Sequence, residues 1–240
     1  MSTPTRLDES LGRRTGETTD EWFRREYGPI PAPTAIEAPT TSPDPTPAMS
    51  PRLRRASASL ERSIPPTYRW ATLDAKELPD RVCAPAIGIG KTAYHEPRVC
   101  LMGQTRSGKT SLAVAMLRAW VAKHERIALF IPAHRLGVAR IQHAAGHGEA
   151  ELVETAMQAP MVLLDDLGSE RDFPINPIAD VIFERHAQDL PTWMTTGFTR
   201  EPLVTRYGAG VVARLFERAR VIQVPPNPAF PPRSRGKEIA

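Results

Sequence analysis

Val99-Cys100-Leu101-Met102-Gly103-Gln104-Thr105-Arg106-Ser107-Gly108-Lys109-Thr110 decides how this chain folds. A short apolar run enters Gly-x-x-x-x-Gly-Lys-Thr, and a helical pattern through Leu112, Met116, Leu117 and Trp120 leaves it. Strand, glycine-rich turn and helix in that order form a phosphate-cradling P-loop, the Walker A motif. Gly103 and Gly108 allow backbone angles that a Cβ forbids, so successive N–H groups converge on one anion. The helix that follows turns its positive end toward the same point. The candidate phosphate-binding residues are therefore Gly103, Gln104, Thr105, Arg106, Ser107, Gly108, Lys109, Thr110 and Ser111. Lys109 would reach the β- and γ-phosphates of a nucleoside triphosphate, and the Thr110 hydroxyl would hold Mg²⁺.

A second motif, about 55 residues beyond Thr110, completes this chemistry: Met161-Val162-Leu163-Leu164-Asp165-Asp166-Leu167-Gly168. An apolar strand ending in two carboxylates is the Walker B pattern that phosphoryl transfer needs opposite the P-loop. Asp165 would hold Mg²⁺, directly or through water, and Asp166 would polarise the attacking water. A polar residue at the end of a neighbouring strand can sense the γ-phosphate. Thr195 or Thr196, in Thr192-Trp193-Met194-Thr195-Thr196-Gly197, fills that place. No Asn-Lys-x-Asp for guanine and no Leu-Ser-Gly-Gly transporter signature occurs, which disfavours those P-loop classes.

Strand and helix alternate from residue 97 to 224, giving about five strands. The expected fold is α/β, a P-loop nucleotide-binding domain with a five-stranded, mainly parallel sheet between helices. Few residues follow the last strand, Val221–Val224, so no C-terminal lid domain is expected. Helices are expected near 78–91, over 135–159 with a break at Gly146-His147-Gly148, over 177–189 and over 201–218. His134, His143 and His147 lack the further ligands at defined spacing that a metal site requires.

Residues 1–63 read as an arm and 64–240 as the ATPase domain. From Pro29 to Pro51 the arm is rich in Pro, Ala, Thr and Ser, a composition that buries too little apolar surface to offset its ordering entropy. Deleting residues 1–60 is accordingly predicted to leave the fold intact. Asp20-Glu21-Trp22-Phe23-Arg24-Arg25-Glu26-Tyr27 is an aromatic island within the arm and a candidate docking segment. Tyr68 and Trp70 open the folded part and are placed either beside a nucleotide base or as anchors of the linker.

The net charge of +4 comes entirely from residues beyond 66, since the first 66 hold 9 Arg against 9 Asp and Glu. Arg206 to Lys237 carries seven basic residues against the single acid Glu217, a patch suited to phosphate or nucleic acid. Cys83 and Cys100 form no C-x-x-C pair, and no signal peptide or membrane-spanning run is present, so a cytoplasmic protein is expected.

The two motifs, with Leu163-Leu164-Asp165-Asp166-Leu167-Gly168-Ser169-Glu170 and the Leu190–Gly197 strand, resemble the lid-less AAA+ ATPases of the DnaC and IstB group. These are replicative-helicase loaders and transposition helpers. The resemblance covers roughly residues 64–237. It implies that Val212-Ala213-Arg214-Leu215 carries an arginine finger, with Arg214 reaching the ATP of a neighbouring subunit. It also implies that Phe230-Pro231-Pro232-Arg233-Ser234-Arg235 carries a second sensor, with Arg233 on the γ-phosphate of its own subunit. The first sensor falls on Thr196, because Gly197 stands where helicase loaders usually have Asn.

The reading that follows is an ATP-hydrolysing helicase loader for DNA replication. It would require ATP and Mg²⁺, partner a replicative helicase, contact single-stranded DNA, and form an ATP-dependent homo-oligomer or hetero-assembly. An IstB-like ATPase that partners a transposase on duplex DNA is the first alternative. A nucleotide-gated adaptor with little hydrolysis is the second. A small-molecule kinase has no evident use for the paired acids and the C-terminal arginines.

Overall fold

A computed structural model of the chain describes residues 49–143, 146–170 and 176–227. Five strands form one parallel sheet: β1 (Arg98–Met102), β2 (Leu129–Pro132), β3 (Val162–Leu167), β4 (Thr192–Thr196) and β5 (Arg220–Gln223). Their order is β2-β3-β4-β1-β5, and every neighbouring pair is parallel. The central strands β3, β4 and β1 are buried along nearly their whole length because helices cover both faces.

Alternation along each strand sorts the core into two layers. Val99, Leu101, Leu163 and Trp193 point to one face, where they meet Leu112, Met116, Leu117 and Trp120 of α4 (Lys109–His124). Cys100, Met102, Val162, Leu164 and Met194 point to the other. There they meet α5 (Ala133–Gln142), α6 (Glu151–Gln158), α7 (Ile178–Ala187) and α9 (Ala209–Phe216). Cys100 is fully buried, and burial pushes its thiol up to about 12, so it packs as a small hydrophobe. The helix expected over 201–218 is divided at Gly208 into α8 (Arg200–Tyr207) and α9.

The expected arm boundary at residue 64 is corrected by α1 (Pro51–Ser63). Ser50 caps this helix, its Oγ accepting from the Leu53 N–H at 3.0 Å, and proline occupies the first turn. Ala56 and Leu60, one turn apart, are buried with Ile64 in the same core layer as α4. Losing residues 51–60 therefore removes core side chains. The helix escapes sequence reading because its inward stripe is narrow and one of its positions is only an alanine. Residues 1–48, including the 20–27 island, lie outside the described residues.

Between α1 and β1 the chain forms a 3₁₀ turn, Pro66–Tyr68, then the short helices α2 (Leu78–Arg81) and α3 (Ala84–Ala93). Among the described residues, no helix is long and apolar enough to cross a membrane.

Candidate nucleotide site

The C-terminal ends of β1 and β3 and the N-terminus of α4 surround a cavity of about 300 Å³. Tyr68, Arg81, Thr105, Arg106, Gly108, Lys109, Thr110, Ser111 and Asp166 line it. Two glycines make this loop possible. A Cβ on Gly103 would stand 2.2 Å from the carbonyl oxygen of Val224, and one on Gly108 would stand 2.3 Å from that of Arg81. Gly108 also has φ +86°, in the left-handed region. The loop is thus pressed between α2 and the chain leaving β5. Asn227 ties those two flanks together, its amide donating to the carbonyls of Asp80 at 3.0 Å and Pro79 at 3.4 Å.

Helix α4 begins at Gly108 without a side-chain cap, and its first backbone bond is Leu112 N–H to the Gly108 carbonyl. The N–H groups of its first turn thus lie at the cavity, where a helix end favours an anion. Ser107 adds a buried hydroxyl with no hydrogen-bond partner among the described residues. The Lys109 ammonium donates to the Gln104 carbonyl at 2.9 Å. Burial lowers the Lys109 pKa, against the upward pull of Asp166 and Asp165. Uncapped amides and a poised lysine fit a polyphosphate.

The acid pair stands opposite. Asp165 is buried and its Oδ1 accepts from Thr195 at 2.7 Å and from Thr110 at 3.0 Å. Burial, with the neighbouring Asp166, pushes its carboxyl up to about 6 against the pull of these hydroxyls and Lys109. Thr110 and Asp165 are hard oxygen donors in contact, the donor set that Mg²⁺ prefers. Asp166 is exposed to the cavity and adopts φ +57°, beside a register irregularity between β3 and β4. A non-glycine residue held there is a local strain of the kind found at functional turns.

Of the two candidate sensor threonines, the structure brings Thr195 and not Thr196 to the acid pair. Thr195 is fully buried, donates to Asp165 and accepts from the Asp166 N–H at 2.9 Å, so it bridges the acid pair. Thr196 donates to the Leu167 carbonyl at 2.7 Å and accepts from the Phe198 N–H at 3.1 Å, which commits it to the backbone. The cause is strand alternation: Thr195 shares the α4 face with Trp193, and Thr196 points to the opposite face.

Arg214 is not brought to this cavity. Its Nη1 donates to the Gly210 carbonyl at 3.0 Å, and its guanidinium lies 4.6 Å from the centre of the Phe183 ring. It borders a separate cleft with Arg98, His186 and Thr192, toward the starts of β1 and β4, the sheet end opposite the P-loop. Arg233 lies outside the described residues.

Two residues to which the sequence attached no role belong to the site's frame. Arg81 lines the cavity with no motif to announce it. Glu170 is buried just past the acid pair; its Oε2 accepts from the Gly168 N–H at 2.9 Å and its Oε1 from Arg206 at 3.2 Å and from the Tyr207 hydroxyl. It thereby ties the turn after β3 to α8. Its only sequence signal is its place in Asp-Asp-Leu-Gly-Ser-Glu.

The sheet order and the strand–loop–helix at Gly103–Thr110 together define an α/β fold of P-loop type. No known family profile and no curated protein matches the chain's sequence. Solved structures do. The DnaC helicase loader aligns with a TM-score of 0.56 and 24% identity, covering 67% of this chain and 99% of that one. DnaI aligns with a TM-score of 0.56 and 22% identity over 67% and 94%. DnaA bound to AMPPCP and single-stranded DNA aligns at 0.53 and 15% identity, over 67% of this chain and 50% of that one. The chain shares their fold.

Proposed function

We propose that this chain is an ATP-hydrolysing helicase loader acting in DNA replication. The observation that carries the reading is one cavity lined by Lys109, Thr110 and Asp166 beneath an uncapped helix end, with the buried Asp165 held by Thr110. The fold likeness to the DnaC helicase loader supports the choice of partner, a replicative helicase. The likeness to DnaA bound to single-stranded DNA supports contact with single strands.

In this reading the Lys109 ammonium exchanges the Gln104 carbonyl for the β- and γ-phosphate oxygens. Thr110 and Asp165 would hold Mg²⁺, which offsets the phosphate charge and orients the γ-phosphoryl group. Thr195 fixes the acid pair, so that the Asp166 carboxylate can accept a proton from the water attacking phosphorus. The products are ADP and inorganic phosphate. Arg214, remote from its own cavity, would serve the site of a neighbouring subunit, where a rigid cationic fork suits the developing charge.

ATP hydrolysis by the full chain tests this, alone, with single- or double-stranded DNA, and with a replicative helicase. Turnover raised by single strands or by the helicase, and abolished in Asp166→Asn with ATP binding kept, is the expected result. Stimulation by duplex alone would transfer the chain to transposition-type ATPases. Absence of ATP binding would overturn the reading.

A further inference from the structure

The turn that carries Asp166 is held in a conformation its own residues do not favour. Asp166 has φ +57° and Gly168 has φ +98°, two left-handed residues within three. For a residue with a Cβ this costs on the order of 1–2 kcal/mol, so neighbouring groups have to fix it. Strand β4 fixes the start of the turn: Thr195 accepts from the Asp166 N–H at 2.9 Å, and Thr196 donates to the Leu167 carbonyl at 2.7 Å. Ser169 closes it from within, its N–H and hydroxyl donating to the Asp166 carbonyl at 3.2 and 2.6 Å. The end of the turn is held from another element. The Gly168 N–H donates to Oε2 of Glu170 at 2.9 Å, and α8 grips that carboxylate.

Glu170 is 5% exposed. Its Oε1 accepts from Nε of Arg206 at 3.2 Å and from the Tyr207 hydroxyl, and Nη2 of Arg206 donates to the Glu170 carbonyl. Burial raises the Tyr207 phenol above its ordinary range, so the hydroxyl keeps its proton and donates. A carboxylate taken this far out of water is tolerated only with such partners. Arg206 and Tyr207 are the last two residues of α8, and Gly208 divides them from α9, which bears Arg214. One side chain thus joins the acid turn to the end of the helix that leads into α9. Glu170 takes hold of Gly168, two residues beyond Asp166, so a rotation of the turn swings the Asp166 carboxylate across the cavity it lines.

We propose that Glu170 is a positioning residue for Asp166, through which the placement of α8 sets how the Asp166 carboxylate faces the nucleotide. The link also runs the other way: a nucleotide that engages Asp166 tightens α8. The inference rests on the ATP-site reading above.

Two variants cut the link at different places. Glu170→Gln keeps the shape and one oxygen for the Gly168 N–H, but sets an amide NH₂ against the donors of α8. Tyr207→Phe removes one of those donors and leaves the turn itself intact. In the full chain, three quantities are followed: affinity for a fluorescent, non-hydrolysable ATP analogue with Mg²⁺, ATP turnover, and amide hydrogen exchange of residues 166–170 and 200–207. Turnover should fall roughly 10- to 100-fold in Glu170→Gln and about three- to tenfold in Tyr207→Phe, the scale of an acid misplaced by about 1 Å or less. Analogue affinity should stay within about twofold, because the lost interaction acts on the chemical step. In the wild type the Mg²⁺–analogue slows exchange over 200–207, and in Glu170→Gln that response is gone. Affinity that falls in step with turnover, or turnover unchanged in a variant of wild-type thermal midpoint, overturns the positioning role. Exchange over 200–207 that ignores the analogue in the wild type, or responds equally in Glu170→Gln, overturns the link to α8. The exchange measurement needs no turnover, so it decides the proposal even for a chain that binds without hydrolysing. Failure of the wild type to bind the analogue overturns the ATP-site reading, and this proposal with it.

Discussion

Two charges are buried at opposite ends of the sheet, and the protein treats them differently. Arg185, in α7, is 1% exposed. Its guanidinium donates to the Ala156 and Ala159 carbonyls at 2.8 Å, the Met157 carbonyl at 3.4 Å, the Pro191 carbonyl at 2.5 Å and the Thr192 hydroxyl at 2.9 Å. Those carbonyls include the C-terminal end of α6, where a cation also meets a favourable helix dipole. Asp165 is 7% exposed, and two hydroxyls share its one oxygen. Burial drags both groups toward neutrality, Arg185 down to about 10 and Asp165 up to about 6. The arginine's donors are spent on fixed backbone, whereas the carboxylate is held by side chains that a ligand can reorganise. A saturated buried charge is a fastener; an under-compensated one is a site.

The sharpest way to break this contrast is Arg185→Met. It strands several buried carbonyls at once and should cost about 3–5 kcal/mol, with thermal unfolding as the measurement. A loss below about 1 kcal/mol would show that the carbonyls find other partners.

Asp165→Asn should act in the opposite direction on the nucleotide-free protein. A carboxyl whose native value lies near 6, above its ordinary 3.8, binds protons more tightly when folded. Its contribution therefore favours the fold as pH falls from about 7 toward 4 and opposes it above 6. The variant should exceed the wild type by about 1–3 kcal/mol at pH 7, with the gap closing by pH 4, while Mg²⁺-dependent nucleotide binding is lost. Denaturant midpoints at the two pH values decide it, and a gap independent of pH would refute the under-compensation.

Arg214→Ala removes one exposed hydrogen bond and a ring contact, so the fold should lose no more than about 1 kcal/mol. ATP affinity of the isolated chain should be unchanged, and hydrolysis stimulated by assembly should fall. A loss of ATP affinity would place Arg214 in its own cavity after all.

Lys109→Ala has the smallest effect on the fold, because among the described residues its ammonium hydrogen-bonds the Gln104 carbonyl of its own loop alone. The thermal midpoint should barely move while titration with a fluorescent ATP analogue detects no binding. Retained affinity would remove Lys109 from the phosphate site.

The strand–loop–helix at Val99–Trp120 and the acidic strand end at Asp165 were legible because each is local: spacing and composition within a dozen residues fix them. So was the order of strands and helices, from which a parallel sheet follows with short connections. The choice between Thr195 and Thr196 was not legible, since a strand's period says that the two face apart without saying which face the acids take. Nor was α1, whose narrow stripe of Ala56 and Leu60 is apolar enough only when α4 is there to receive it.

By itself, then, the sequence determined the phosphate loop, the acid pair and the layered α/β fold. The tertiary structure alone decided which hydroxyl bridges the acids, that Tyr68 lines the cavity, and that Arg214 stands at the far end of the sheet. The first set depends on backbone geometry that neighbouring residues impose on one another. The second depends on contacts between residues some 30 to 55 positions apart, such as Thr195 to Asp165 and Thr110 to Asp165, which exist only once the strands have paired.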